Sequence, residues 1–358
     1  PSLAELNGQG ISALDPIAGT EAIAYDFLSK GGKHSRPFIT LAVHDAVTGG
    51  LATQGGGAEH LESLAPAIKR VAMSIETFHK ASLVHDDIED DDAFRYGDQT
   101  LHRKYGTATA INVGDYLIGM GYRLVSREAK TLGPDVVSDI LDRLADAHLK
   151  LSEGQGAELL WRDTPGKKIT PLDALKIYAL KTAPAFEAAM FSGLRLAGPI
   201  DKYLEPISQF ARHLGVAFQI LNDLGDWRGD NHNKLAVAGD VLGGRPTVLW
   251  ALALEGLNDE RRAELQRLVA DSSIDASVVA RVRALYQEAG VFEKAGRLVD
   301  KYRQRAEAVA DEIEPDELRQ LLYYLIDTVL VDDGHGDADE PQIVVESIAS
   351  LPAPIVGT

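Results

Sequence analysis

The chain predicts an all-α fold, on three observations. Apolar residues recur at i, i+3 and i+4 in eleven stretches covering most of the 358 residues; no segment alternates as a strand does; and Gly and Pro clusters punctuate the chain between the stretches. The first stretch, near 36–47, follows Gly31-Gly32 and is closed by Gly49-Gly50, after which Gly55-Gly56-Gly57 makes a loop. A long one, 64–92, ends in the acidic run Asp86-Asp87-Ile88-Glu89-Asp90-Asp91-Asp92. Two more occupy 108–130 and 134–153, and Thr164-Pro165-Gly166 then turns the chain. Thr170-Pro171 opens the stretch 171–197 as a capping residue followed by proline at the first helical position, and Gly198-Pro199 breaks it. The next, 203–230, carries a second acidic cluster, Asn222-Asp223-Leu224-Gly225-Asp226. The remaining stretches are 246–256, 259–271, 276–288, 291–312 and 315–331. With no long linker and no repeat of solenoid length, residues 1–331 read as one bundle-like domain around a cavity. Residues 332–358, acidic and then Pro-rich, read as a flexible tail.

Composition excludes several classes of function. Apolar residues make up 45%, enough for a substantial core. A net charge of −18 and a pI near 5.0 argue against a nucleic-acid partner, because contact with a phosphate backbone needs a basic surface. Any phosphate site must then be a local basic pocket. The chain has no cysteine, which removes disulfides, thiolate metal sites and thiol nucleophiles and fits a reducing compartment. With no apolar run approaching a membrane span of roughly 18 residues and no N-terminal leader pattern, the expected location is the cytoplasm.

Chemistry concentrates at the two acidic clusters. At helical spacing Asp86, Asp87 and Asp90 fall within about a quarter of the circumference, an arrangement that repels itself unless a cation is present. Hard carboxylate oxygens are what Mg²⁺ takes, completed by phosphate oxygens of a substrate. Both clusters follow apolar runs, and a carboxylate at the end of a buried helix is unfavourable without compensation. Gly31-Gly32-Lys33-His34-Ser35-Arg36-Pro37 sets Lys33 and Arg36 at a glycine-rich helix entry, suited to a second anion. His79, seven residues before Asp86, shares its face, and Lys181-Thr182 interrupts an Ala- and Phe-rich helix.

Taken in order, these motifs resemble the trans-isoprenyl diphosphate (polyprenyl) synthases from Gly31 to about Leu330. The similarity covers Gly31–Pro37; Ser82–Asp90; Arg95-Tyr96-Gly97; Tyr105-Gly106; Gly114–Leu117; Gly154-Gln155; Lys181-Thr182; Phe218-Gln219-Ile220 with the second cluster; and Gly239-Asp240 through Thr247. The resemblance implies a bundle of mostly antiparallel helices around a deep central cavity, and a homodimer. It implies head-to-tail condensation of isopentenyl diphosphate with an allylic prenyl diphosphate: the allylic C–O bond ionises, the cation is attacked by the double bond of isopentenyl diphosphate, and a proton is lost. Asp86, Asp87, Asp90, Asp223, Asp226 and Asn222 are then implied as ligands, or supports of ligands, for Mg²⁺, three ions per site with Mn²⁺ as a substitute. Arg95, Lys181 and Lys234 are implied to hold the allylic diphosphate, Thr182 and Gln219 to set oxygen dipoles near the cation, and Lys33, Arg36 and His79 to hold isopentenyl diphosphate.

Two departures stand out. Tyr96 occupies the place of the second arginine of an Arg-Arg pair, which the family uses for isopentenyl diphosphate, so a high KM for that substrate is expected. Asn222 replaces the leading aspartate of the second cluster. Asn222, Asp226 and Asp230, four apart, loosely resemble the metal triad of class I terpene cyclases, which leaves a cyclase as one alternative; a non-catalytic regulatory subunit of a prenyl synthase is another. Ser74, Phe78, Ala81, Ser82 and His85 form a stripe beside the aspartates. In the family, bulk at the fifth and fourth positions before the first aspartate stops growth early. Here these are Ala81 and Ser82, both small, so the product is expected to be C20 or longer, with Phe78 as floor.

Overall fold

The computed structural model describes residues 16–32, 34–51, 60, 63–162, 169–227, 244–270 and 276–330. Lys33, Lys234, Asp230, Gly239-Asp240 and the segment 332–358 lie outside the described residues. The described residues are almost wholly helical, as the periodicity predicts: α1 (Pro16–Ser29), α2 (Ser35–Val47), α3 (Pro66–Glu89), α4 (Leu101–Tyr105), α5 (Thr107–Ser126), α6 (Ala129–Leu132), α7 (Pro134–Arg162), α8 (Pro171–Lys181), α9 (Ala183–Ala197), α10 (Leu204–Asp226), α11 (Val248–Gly256), α12 (Asp259–Ala270), α13 (Ala276–Glu288), α14 (Val291–Asp311) and α15 (Asp316–Val329). One element departs from the all-helical expectation, a two-stranded antiparallel ribbon of β1 (Phe94–Arg95) and β2 (Asp98–Gln99), with Phe94 opposite Gln99 and Arg95 opposite Asp98. Its turn residues Tyr96 and Gly97 have φ of +54° and +75°, the pair of positive values a tight two-residue hairpin turn requires.

The described residues fall into two compact units. The first draws on the described residues within 16–141 and on Ser192–Gly198. Its centre is α3, which packs most extensively on α5 and also on α2, while α1 packs on α5. Proline at the first position of α3 pre-sets the helix, and its buried residues Ala67, Val71, Ala72, Ile75, Ala81 and Val84 recur three and four apart. Ala81 and Val84 join Ile23, Ala24 and Phe27 of α1 and Ala110, Val113 and Leu117 of α5 in one core.

The second unit spans Asp142–Phe191 and Pro199–Asp332. Here α10 packs on α14, and α8, α10 and α11 contribute Ile177, Tyr178, Ile220, Leu224, Leu249 and Leu252 to one core with Leu285 and Tyr286 of α13. A reciprocal capping box starts α8: Asp173 N–H donates to Thr170 Oγ1 (3.2 Å) and Thr170 N–H to Asp173 Oδ2 (3.2 Å). The stretch 171–197 reads as one helix in sequence but is two helices in space, broken at Thr182 (φ −127°). Pro184, which lacks an N–H and crowds the preceding turn, enforces that break.

Candidate active site

In the first unit the acidic cluster is the last turn of α3. Asp90 caps it, its N–H donating to the Asp86 carbonyl (2.8 Å). Asp86 and Asp90 are half-buried, whereas Asp87 is 1% exposed. The ribbon supplies its partner: Arg95 Nε donates to Asp87 Oδ1 (2.9 Å), Nη2 donates to the same oxygen, and Nη2 stands 3.6 Å from Asp92 Oδ2. The other oxygen of Asp87, Oδ2, is buried without a hydrogen-bond partner among the described residues. Burial pushes the Asp87 carboxyl up, and Arg95 only partly reverses that. An anionic oxygen left bare in this way is unfavourable by itself and is the donor a divalent cation takes. Among the described residues no group of three His, Asp or Glu side chains is placed to hold a metal ion.

Above α3 lies the glycine turn. Gly31 has φ +51° and sits so close to Tyr96 that a Cβ there would stand 2.5 Å from its ring, so only glycine fits. Arg36 lies in the first turn of α2, and burial lowers its pKa first of all, with Glu76 opposing. His79 is held well below the usual imidazole range by burial and then by the positive charges of Arg36, Lys80, Arg95 and His34, so it is neutral at neutral pH. Two groups absent from the sequence-based set complete the cluster. Glu76 is 2% exposed and stands 3.4 Å from His34 Nδ1. Lys80, 0% exposed, donates to the carbonyls of Lys30 and Gly31. A signal existed for them: a Glu and a Lys four apart on one helix face, flanked by residues of the apolar stripe.

Farther up α3, Ser82 Oγ donates to the His79 carbonyl (2.8 Å) and Ser74 Oγ to that of Val71 (2.7 Å). The stripe expected to line the substrate channel divides between two environments. Ala81 and Ser74 are fully buried, Ala81 in the α1–α3–α5 core, while Phe78 and Ser82 are half-exposed. Phe78 meets Tyr122 of α5 edge to face at 4.7 Å.

In the second unit the α8–α9 break presents Lys181 and Thr182. It is packed tightly: a Cβ on Gly154 of α7 would lie 2.8 Å from the Lys181 nitrogen, so the helices approach backbone to backbone. Lys181 Nζ donates to Glu158 Oε2 (2.6 Å), and Thr182 Oγ1 to Gln219 Oε1 of α10 (3.2 Å). At the end of α10 Asn222 is exposed, but Asp223 and Asp226 are 3% and 5% exposed. The Tyr178 hydroxyl donates to Asp223 Oδ2 and accepts from Val248 N–H (2.7 Å). One oxygen of Asp223 is therefore engaged by protein. Asn222 is the exposed residue of that cluster.

Comparison with known proteins relates the chain to one family. The family model for polyprenyl synthetase matches residues 19–288. A short chain isoprenyl diphosphate synthase of Methanothermobacter thermautotrophicus is 27% identical, covering 85% of this chain and 87% of its own. An octaprenyl diphosphate synthase of Escherichia coli is 28% identical over 81% of this chain and 80% of its own. The crystal structure of a geranylgeranyl pyrophosphate synthetase from Pyrococcus horikoshii superimposes with a TM-score of 0.73 at 25% identity, covering 87% of this chain and 90% of that one.

Proposed function

The chain belongs to the polyprenyl synthetase family and is a trans-prenyl diphosphate synthase, a transferase of alkyl groups other than methyl; from this premise we propose how its own residues serve the reaction. The substrates are isopentenyl diphosphate and an allylic prenyl diphosphate, and the product is C20 or longer. The observation that carries the reading is the bare, buried Oδ2 of Asp87 at the end of a helix that also bears Asp86 and Asp90.

The family uses divalent metal ions, and the donor set fits Mg²⁺: hard oxygens, one of them desolvated and lacking a donor. In the first unit Asp86, Asp87 and Asp90 would hold an ion; in the second, Asn222 and Asp226 would hold one, with Asp223 bonded to Tyr178 beside them. When bound, the metal stabilises the negative charge of pyrophosphate as it departs. The protein's own cations act in the same direction. Arg95, kept in place by Asp87, and Lys181, kept in place by Glu158, neutralise phosphate oxygens on which charge builds as the allylic C–O bond breaks, and they work strongly because both are largely withdrawn from water. Lys234 is assigned the same task. Thr182 and Gln219 direct oxygen dipoles at the allylic cation. Lys33 and Arg36 bind the diphosphate of isopentenyl diphosphate, and His79, being neutral, serves as a hydrogen-bond donor rather than a charge.

A cytoplasmic homodimer is the setting proposed for this chemistry. No helix among the described residues is long and apolar enough to cross a membrane. The reading is tested by supplying the purified protein, alone, with labelled isopentenyl diphosphate, allylic starters and Mg²⁺. An elongated prenyl diphosphate supports it; a cyclised hydrocarbon or no product rejects it.

A further inference from the structure

Lys80 is a fully buried cation without a role in the reading above. Its partners are neutral: the carbonyls of Lys30 and Gly31 (2.8 Å for Gly31), and the rings of Tyr96 and Phe27 with centroids 4.2 and 5.5 Å from Nζ. The acidic group that acts on it, Glu76, is already engaged with His34. A charge withdrawn from water and hydrogen-bonded to neutral dipoles is unfavourable to folding, while its positive field persists.

The direction of those carbonyls matters. In a trans peptide the C=O and the N–H of one plane point opposite ways. With the Lys30 and Gly31 carbonyls turned in toward the ammonium, the N–H groups of Gly31 and Gly32 turn out. Both glycines are exposed, and among the described residues neither N–H donates to an acceptor. Successive outward amides form a concave anion receptor, and a cation bound at the carbonyl side polarises them into better donors. Tyr96 completes the device: its ring lies against Gly31 on one side and over Lys80 on the other, fixing the ammonium beneath the turn.

We infer that Lys80 is a positioning residue for isopentenyl diphosphate, holding the Gly31–Gly32 turn so that its two amides face the diphosphate. This rests on the reading that the glycine turn and Arg36 take that substrate. It gives Tyr96 a further role beside standing where the family has an arginine: the tyrosine ring covers a buried ammonium.

The test compares Lys80→Met, which keeps the length and loses the charge, with Arg36→Gln. Lys80→Met raises the KM for isopentenyl diphosphate about tenfold, as expected for weakened charge-assisted hydrogen bonds, and leaves the KM for the allylic diphosphate and kcat within about twofold. If Arg36→Gln raises that KM and Lys80→Met does not, the role of Lys80 is rejected while the site stands. If neither raises it, the site assignment itself fails. Should Lys80→Met not fold, wild type and Lys80→Arg carry the test. Burial lowers the Lys80 pKa to about 8. The groups facing it are Glu76 and neutral His79 on its own helix, Arg95 and Tyr96 on the ribbon, and Phe27 of α1; the Tyr96 hydroxyl is held above its ordinary value by burial. The wild-type KM for isopentenyl diphosphate therefore climbs between about pH 7 and about pH 9, and that of Lys80→Arg stays level. A level wild-type profile, or the same climb in Lys80→Arg, overturns the inference.

Discussion

Phe78→Ala should lengthen the product by one isoprene unit. Phe78 lies eight residues before Asp86, about 12 Å along the helix axis at about 1.5 Å per residue. The next side chain below it on that face is Ser74, a further 6 Å or so by the same rise. An extended chain advances roughly 3.8 Å in three bonds, so an isoprene unit of four bonds spans about 5 Å. Removing the ring is therefore expected to give the growing chain about one more C5 unit, as far as the level of Ser74. Gly121 of α5 supplies the converse perturbation. A Cβ there would meet Phe78 Cε2 at 2.9 Å, so Gly121→Ala must displace the ring, and a shorter product is the expected outcome. The truncation also loses the edge-to-face pair, about 0.5–1.5 kcal/mol, beyond the packing of a half-buried ring. Chromatography of the dephosphorylated prenols with mass detection reads the outcome. An unchanged product distribution in both variants, each folded and active, would refute the assignment of Phe78 as the floor.

Other outcomes follow from the same geometry. Ala81→Phe places a ring in the α1–α3–α5 core, so it should destabilise by roughly 1–3 kcal/mol or more, read by chemical denaturation. Arg95→Gln leaves Asp87 buried with no counter-charge, its pair having side chains only 19% and 2% exposed; a loss of about 3–5 kcal/mol is expected, together with a fall in kcat. Tyr178→Phe removes the hydroxyl shared by Asp223 and Val248 N–H and should cost about 1–3 kcal/mol, with weaker Mg²⁺ dependence in titrations of activity. For Lys80 the folded pKa of about 8 lies below the ordinary lysine value of 10.5, so between those values the folded state binds fewer protons and gains stability as pH rises. Wild type should therefore gain in Tm relative to Lys80→Met as pH is raised through that window; a constant difference would show that the ammonium is not desolvated.

The helices were legible because burial on one face writes a 3.6-residue period into the sequence. Among the elements that escaped it are α1 and the ribbon. In α1 only Ile23, Ala24 and Phe27 are buried, too short a pattern to stand out beside Gly19 and Pro16. The strands of the ribbon are two residues each, below the length at which alternation can be seen; its one signal was Tyr96-Gly97 in the turn. The break at Thr182 was foreshadowed by Pro184, but the close packing of Gly154 that sets Lys181 and Thr182 in place is a relation between distant segments. Asp223 and Asp226 read as equals of Asn222 in sequence, yet only burial distinguishes an exposed oxygen from one held by Tyr178.

By itself the sequence determined the helical class, the two acidic clusters, the glycine turn and, through their order, the family: these are local patterns of spacing and residue type. Tertiary structure alone decided the partners. That Arg95 reaches Asp87, that Lys181 reaches Glu158, and that Lys80 lies beneath Gly31 and Tyr96 depends on which faces of separate helices meet. Periodicity states that a face is covered but not by what, and a charge acquires its function from the groups that share its desolvated surroundings.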